Sequence, residues 1–197
     1  MANASLSKLL VEIRGCQVCA DSLPLGPRPV VVANSKAKIL LVGQAPGIRV
    51  HESGVPWDEP SGNRLRDWLG VSTEAFYDEK KFAIIPMGFC YPGTGATGDL
   101  PPRPECAPLW HERLLDLLPS IELTLVMGQY AQKSFLGNDR HRNLTETVKA
   151  WKEFGPGTLP LPHPSPRNNR WLKKNPWLDE ELIPWLRKRV RQILEDR

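Results

Sequence analysis

Four short apolar runs, separated by segments with helical periodicity, constrain the fold of this chain more than any other feature. They span residues 38–43, 82–86, 123–128 and 158–161. Runs this short and this apolar are typical of strands buried on both faces of a parallel sheet. Because alternating strands and helices join parallel strands, the order predicts a single-domain three-layer α/β/α fold over residues 1–197, with a central, mostly parallel four-stranded sheet.

The composition is that of a globular protein with long ordered loops. The chain has 20 prolines and 7 tryptophans, and proline is poorly tolerated inside helices and central strands. The net charge of +4 permits a nucleic-acid partner without requiring one. No run is long enough for a membrane span, and the first residues lack the pattern of a secretory signal. We therefore expect a cytoplasmic protein with reduced thiols and no membrane partner, and we expect a monomer.

A histidine set among prolines follows the last apolar run. His163 lies between Pro162 and Pro164, and Pro166 follows closely. Each proline fixes its own φ and restricts the residue before it, so the imidazole is presented from a stiff loop. Open α/β folds bind their ligands at the carboxyl ends of the strands, where this loop is expected. A proline-rich surface turn with an incidental histidine is the alternative.

A glycine-rich turn after the first apolar run favours the ligand-binding interpretation. Its residues are Gly43, Gln44, Ala45, Pro46 and Gly47. The pairing of this turn with the later His-Pro-Ser-Pro motif resembles the uracil-DNA glycosylase superfamily. Its enzymes carry one such turn after the first core strand and one such motif after the last. The resemblance covers nearly the whole chain.

Four cysteines add to the resemblance. Cys16 and Cys19 form a CxxC pair, and Cys90 and Cys106 flank a stretch rich in Gly and Pro. In a reducing compartment such residues are metal ligands or small core residues rather than disulfides. Their spacing resembles that of the family-4 uracil-DNA glycosylases, which implies a [4Fe–4S] cluster held by all four thiolates. Zinc, which takes the same number of ligands, and no metal at all are the alternatives.

The resemblance also implies an activity. It indicates a monofunctional DNA glycosylase that hydrolyses the N-glycosidic bond of a flipped-out deaminated base in base excision repair, with uracil the expected base. His163 would then donate a hydrogen bond to the departing base, which strengthens as charge develops there. Trp57 stands where family 4 has the aromatic that stacks on the base; a core tryptophan is the alternative. The other residues expected to contact substrate are Gly43, Ala45, Pro46, Gly47 and Ser165.

The sequence offers more than one candidate for the residue that activates the water. Family 4 has a glutamate where this chain has Gln44, and an amide cannot take a proton. A related branch places an aspartate shortly before a Ser-Gly pair, and here Glu59 precedes Ser61 in that way, with Asp58 beside it. Either carboxylate could orient a water or stabilise a cationic sugar. Alternatively, both support the N-terminus of a helix that Ser61 caps.

One departure from family 4 concerns base recognition. That family has an asparagine four residues before the third cysteine, and this chain has Pro86, which has no side-chain donor or acceptor. A site without the asparagine is expected to discriminate uracil less well. The departure supports an alternative function, a catalytically weak or inactive protein that binds DNA or damage on the same fold. A third possibility is hydrolysis of N-glycosidic bonds in small molecules.

The segment after His163 is expected to bind DNA. Its motif also resembles that of the single-strand-selective monofunctional uracil glycosylases, in which the segment continues into a helix that helps to wedge the duplex. The residues expected to contact DNA phosphates are Arg167, Asn168, Asn169, Arg170 and Lys173. The other three histidines, His51, His111 and His141, are expected at the surface or in loops.

Overall fold

The computed structural model describes residues 2–96 and 98–195 of the chain and is built around a four-stranded sheet. Its strands, in chain order, are β1 (Ile39–Val42), β2 (Phe82–Ile84), β3 (Thr94–Gly95), β4 (Gly98–Asp99), β5 (Leu123–Met127) and β6 (Thr158–Leu161). The sheet has the order β2-β1-β5-β6 and all its pairings are parallel, while β3 and β4 form a separate antiparallel ribbon. The predicted fold class is therefore confirmed.

Helices connect the strands and cover both faces of the sheet. The α-helices are α1 (Ala2–Arg14), α2 (Ile48–Ser53), α3 (Pro60–Leu69), α4 (Thr73–Phe76), α5 (Cys106–Leu115), α6 (Gly128–Leu136), α7 (Leu144–Lys149), α8 (Asn169–Lys174) and α9 (Ile183–Glu195). Short 3-10 turns span Ala20–Ser22, Gly137–Asp139, Trp151–Phe154 and Pro166–Asn168, and a π-helical turn, Leu178–Leu182, leads into α9. No helix of the described residues is both long enough and apolar enough to cross a membrane.

The core lies in two layers, one on each face of the sheet. Successive side chains of a strand point to opposite faces, so Ile39 and Leu41 pack in one cluster while Leu40 and Val42 pack in the other. The first cluster includes residues of α3 and α9, and the second includes residues of α1 and α5. The side chains of β1 are fully buried, as its continuous apolar run predicts.

Three local predictions are wrong. Ser61 does not cap α3, because the helix already begins at Pro60, whose fixed φ suits the first helical turn, and Glu59 occupies the N-cap position. His51 is buried in α2 rather than exposed in a loop. His111 is also buried, in α5, where Phe89 stacks on its ring and its Nε2 donates to the Pro86 carbonyl at 3.0 Å. His141 is exposed, as expected, and pairs with Glu153.

Candidate active site

The glycine-rich turn after β1 and the histidine loop after β6 border one cleft. An inner space of about 400 Å³ and an outer space of about 1220 Å³, both partly open to solvent, adjoin each other. They share the lining residues Gln44, Ala45, Gly47, Glu59 and His163. The strands are parallel and β5 alone separates them, so both turns leave the sheet at its carboxyl edge. The structure therefore brings together the two motifs that the sequence placed far apart.

Backbone hydrogen bonds fix the turn that follows β1. The Met87 amide donates to the carbonyl of Gly43 at 3.0 Å, and the Gly88 amide donates to that of Gln44 at 2.9 Å. The Gln44 side chain donates from Nε2 to the Leu100 carbonyl at 3.1 Å. The amide of Gln44 thus joins the turn to the segment that leaves β4.

Hydrogen bonds from α3 hold the histidine loop, residues 162–166, in place. Arg64 donates to the carbonyls of Pro164 and Ser165 at 3.2 and 3.1 Å, and to Oδ1 of Asn169 at 2.6 Å. Asn168 donates from Nδ2 to the carbonyl of His163 at 2.7 Å. The loop is therefore fixed by hydrogen bonds as well as by its prolines. Sequence reasoning missed Arg64, because an arginine a hundred residues upstream on a helix has no recognisable signature.

The His163 imidazole is held neutral. Burial lowers its pKa from the ordinary 6.5 to about 4, and the negative charge of Asp99 opposes that fall without cancelling it. The ring stacks on Trp57 with centroids 5.5 Å apart and an interplanar angle of 28°. At neutral pH the ring therefore has one nitrogen that donates and one that accepts a hydrogen bond.

Trp57 is both a core residue and a wall of the cleft. It is only 8 % exposed and belongs to the cluster that contains Leu65, yet it lines the inner space. Its φ of 59° is the only positive φ of a non-glycine residue in the described part of the chain. A Cβ on Gly62 would collide with the Trp57 carbonyl, and one on Gly43 would lie 3.1 Å from the indole. Two glycines therefore make room for a strained tryptophan at this site.

Only one of the two predicted carboxylates faces the cleft. Glu59 lines both spaces, and its Oε1 accepts a hydrogen bond from the Ser61 hydroxyl at 2.6 Å. It occupies the N-cap position of α3, but its side chain makes no capping hydrogen bond. Asp58 lines neither space; its charge acts instead on Tyr77, whose pKa is raised mainly by burial. Asp99 of β4, which sequence reasoning missed, lines the outer space.

The inner space has an apolar wall where base recognition would be expected. Val30, Ile84 and Pro86 line it, and the Pro86 carbonyl is already engaged by His111. Burial lowers the pKa of His111, which favours the neutral ring in that contact. The polar groups on this space are those of the turn, Glu59 and His163.

Two of the five predicted DNA-contacting residues, Arg167 and Asn168, line the outer space. Ser165, Arg167 and Asn168 line it, and the Ser165 hydroxyl accepts from the Arg167 amide at 3.3 Å. The Arg167 guanidinium lies against Gly98 of β4, where a Cβ would collide with it. The neighbouring exposed side chains are Asn169, Arg170 and Lys173. A row of polar and basic groups therefore borders the cleft on this side.

The four cysteines line a different space, of about 430 Å³, beside the end of α1 and the start of α5. All four are free thiols. Burial raises the pKa of Cys90 to about 11 and that of Cys106 to about 12. Over residues 2–96 and 98–195, no group of three or more Cys, His, Asp or Glu is arranged to ligate a metal ion. The predicted ligands thus share a cavity, although the structure does not show a metal site.

One comparison with known proteins bears on this cleft. The family model described as the uracil DNA glycosylase superfamily matches residues 30–187. The match includes both turns of the cleft, Trp57, Glu59, Cys90 and Cys106. Cys16 and Cys19 precede it.

Proposed function

The chain belongs to the uracil DNA glycosylase superfamily, and from that premise we propose that it is a monofunctional glycosylase of base excision repair. Membership of this superfamily supports DNA glycosylase activity. It also supports DNA as the macromolecule that the protein binds. The observation that carries the proposal is the convergence of the Gly43–Gly47 turn and a neutral His163 on one cleft. We further propose that the protein acts as a monomer and in the cytoplasm.

The two parts of the cleft suit the two halves of a flipped nucleotide. An enzyme that acts on a base in DNA must take it out of the stack and enclose it. The inner space is the smaller of the two and is lined by the apolar side chains of Val30, Ile84 and Pro86, so it is assigned to the base. The outer space is the larger and is lined by Arg167 and Asn168, so it is assigned to the sugar and its phosphates. His163 lines both spaces and therefore lies near the bond to be broken.

His163 stabilises the leaving base. As the C1′–N bond breaks, its electron pair passes to the base, and the neutral imidazole N–H donates to the carbonyl oxygen on which charge builds up. That hydrogen bond strengthens in the transition state, where a single such donor contributes roughly 10²–10³ in rate. A histidine that is already neutral in the folded protein can serve this purpose at neutral pH without first losing a proton.

Glu59 supports the other half of the reaction. Its carboxylate lies at the boundary of the two spaces, where the sugar carbon would lie. A negative charge there stabilises the positive charge that develops on the sugar. Gln44 borders the same boundary and cannot act as a base; its amide is bound to the Leu100 carbonyl and shapes the turn. Asp58 lines neither space and has no role in this proposal.

Uracil is the proposed base, with relaxed discrimination. Trp57 lines the inner space and is the aromatic side chain proposed to contact the base there. The Pro86 wall has no side-chain donor or acceptor, and its carbonyl is occupied by His111. A pocket that makes few hydrogen bonds to the edge of the base distinguishes related bases weakly. Hypoxanthine and xanthine are therefore included in the test.

Cys16, Cys19, Cys90 and Cys106 are proposed to hold a [4Fe–4S] cluster. Four thiols that line one partly open space suit its ligand set. A single zinc ion, which takes the same number of thiolates, and no metal at all are the alternatives. Bound there, the group would act as a structural cross-link between the end of α1 and the start of α5.

A glycosylase assay tests the proposed function. Oligonucleotides with one uracil, hypoxanthine or xanthine, single- or double-stranded, are incubated with the protein, and the free base and the strand are analysed separately. We expect release of the free base, uracil fastest, from a strand that stays intact until alkali is added. Tight DNA binding with no base released from any substrate would instead favour a damage-binding protein, the alternative that Pro86 supports.

A further inference from the structure

Asp99, at the end of β4, borders the outer part of the cleft. It lines the outer space together with Glu59 and His163, and its charge acts on the His163 ring. A Cβ on Gly47 would lie 3.6 Å from Asp99 Oδ2 and 3.1 Å from Glu59 Oε2. Two carboxylates therefore approach the same glycine of the turn, one from α3 and one from β4.

Each carboxylate has one oxygen that is held by a hydroxyl. Thr94 donates from Oγ1 to Asp99 Oδ1 at 3.2 Å, and the Tyr91 hydroxyl lies 2.7 Å from the same Oγ1. Ser61 holds Glu59 Oε1 in a comparable way. The second oxygen of each carboxylate is the one beside Gly47. Both side chains are therefore fixed with one oxygen beside Gly47, a residue that lines both spaces.

The two carboxylates differ in which part of the cleft they border. Glu59 borders both spaces, whereas Asp99 borders only the outer one and is exposed to solvent. With the base in the inner space, the open side of the sugar carbon faces the outer space. A water that displaces the base must approach from that side. Asp99 is therefore the carboxylate beside the water, and Glu59 the one beside the sugar.

We propose that Asp99 is the general base of the reaction, an assignment that rests on the proposed glycosylase function. The water oxygen forms a bond to C1′, and the C1′–N bond breaks with its electron pair on the base. The Asp99 carboxylate takes the proton that the water loses and later returns it to solvent. The charged or titratable groups around Asp99 are Glu59, His163, Tyr91 and Arg167, which lies against the neighbouring Gly98.

The experiment measures single-turnover base release against pH on the substrate that the wild-type protein excises best. General-base catalysis contributes roughly 10²–10⁴ in rate, so Asp99→Asn should lower the rate by a factor in that range. It should also remove the fall in rate at low pH that protonation of the base causes. Glu59→Gln should slow release but keep that fall. The matched control is Asp179→Asn, which removes an exposed carboxylate from the π-helical turn Leu178–Leu182. It should change neither the rate of base release nor its fall at low pH.

Two further readouts separate catalysis from folding. Thr94→Val removes the hydroxyl that holds Asp99 and should give a smaller loss of rate, with the low-pH fall retained. DNA binding by Asp99→Asn should be undiminished, because the substitution removes a negative charge near the phosphates. If Asp99→Asn proves unfolded, Asp99→Glu, which keeps the base but shifts its oxygens, should fold and release base slowly.

The outcomes distinguish this assignment from the proposed function. A wild-type rate in Asp99→Asn, or a slowed rate with the low-pH fall unchanged, would overturn the role of Asp99 while leaving a working glycosylase. An absence of base release from the wild-type protein itself would overturn both.

Discussion

The low pKa of His163 has a measurable consequence for stability. In the unfolded chain this histidine titrates near 6.5, and in the folded protein near 4. Between those values the unfolded chain binds a proton that the folded protein does not, so stability falls as the pH falls through this interval. The full contribution is present above about pH 6.5. At 1.36 kcal/mol for each pKa unit, the loss is about 2 kcal/mol at pH 5 and about 3 kcal/mol at pH 4.

Urea unfolding of the wild-type protein and of His163→Asn isolates this term. Other groups that titrate in the same interval are common to both proteins, so their contributions cancel in the difference between the two free energies of unfolding. We expect that difference to shift by about 2 kcal/mol in favour of the variant between neutral pH and about pH 5. His141→Gln removes an exposed histidine and serves as the control for the loss of an imidazole from the surface.

A difference that stays constant with pH would refute the reasoning. It would mean that water reaches the His163 ring as freely in the folded protein as in the unfolded chain. In that case burial does not keep the ring neutral, and the inner space assigned to the base is more open to water in solution than in the structure.

Three further predictions concern the supports of the cleft. Gly62→Ala should destabilise the protein by roughly 1–3 kcal/mol in urea unfolding, because the new Cβ collides with the Trp57 carbonyl; Gly157→Ala, whose Cβ would have its nearest neighbour at 4.0 Å, should change stability by less than about 1 kcal/mol. Arg64→Lys should slow single-turnover base release by up to roughly 10²-fold with little effect on DNA binding, because an ammonium cannot make the forked contacts that position the histidine loop; an unchanged rate would contradict that role. Cys16→Ser should lower the bound iron and sulfide and the visible absorbance of the purified protein, whereas a wild-type protein that contains zinc or no metal would contradict the proposed cluster.

The sheet was predictable because its signal is local and strong. β1 is a fully buried run of four apolar residues, and such a run between helical segments has few other interpretations. The start of α3 was misplaced by two residues, with Ser61 predicted as the N-cap and Glu59 found there, because two rules competed. A serine is a good N-cap, but the fixed φ of Pro60 directly before it suits the first helical turn, and the proline prevailed.

The site was predictable only in part, because some of its residues are recognisable by motif and others by position alone. His163 and the Gly43–Gly47 turn stand in recognisable patterns. Asp99 and Arg64 do not, since Asp99 reaches the cleft and Arg64 reaches the histidine loop through the packing of elements distant in sequence. The buried position of His111 was missed for the same reason: its partner, the Pro86 carbonyl, is a backbone group that has no sequence signal.

The most direct test of the central claim is base release by His163→Ala measured beside its DNA binding, on the substrate that the wild-type protein excises best. The account predicts that release falls by roughly 10²–10³ or more while the affinity for DNA is retained, because the imidazole acts on the departing base rather than on the phosphates. Release at the wild-type rate would contradict it, since the cleft would then break the glycosidic bond without the residue around which it is built.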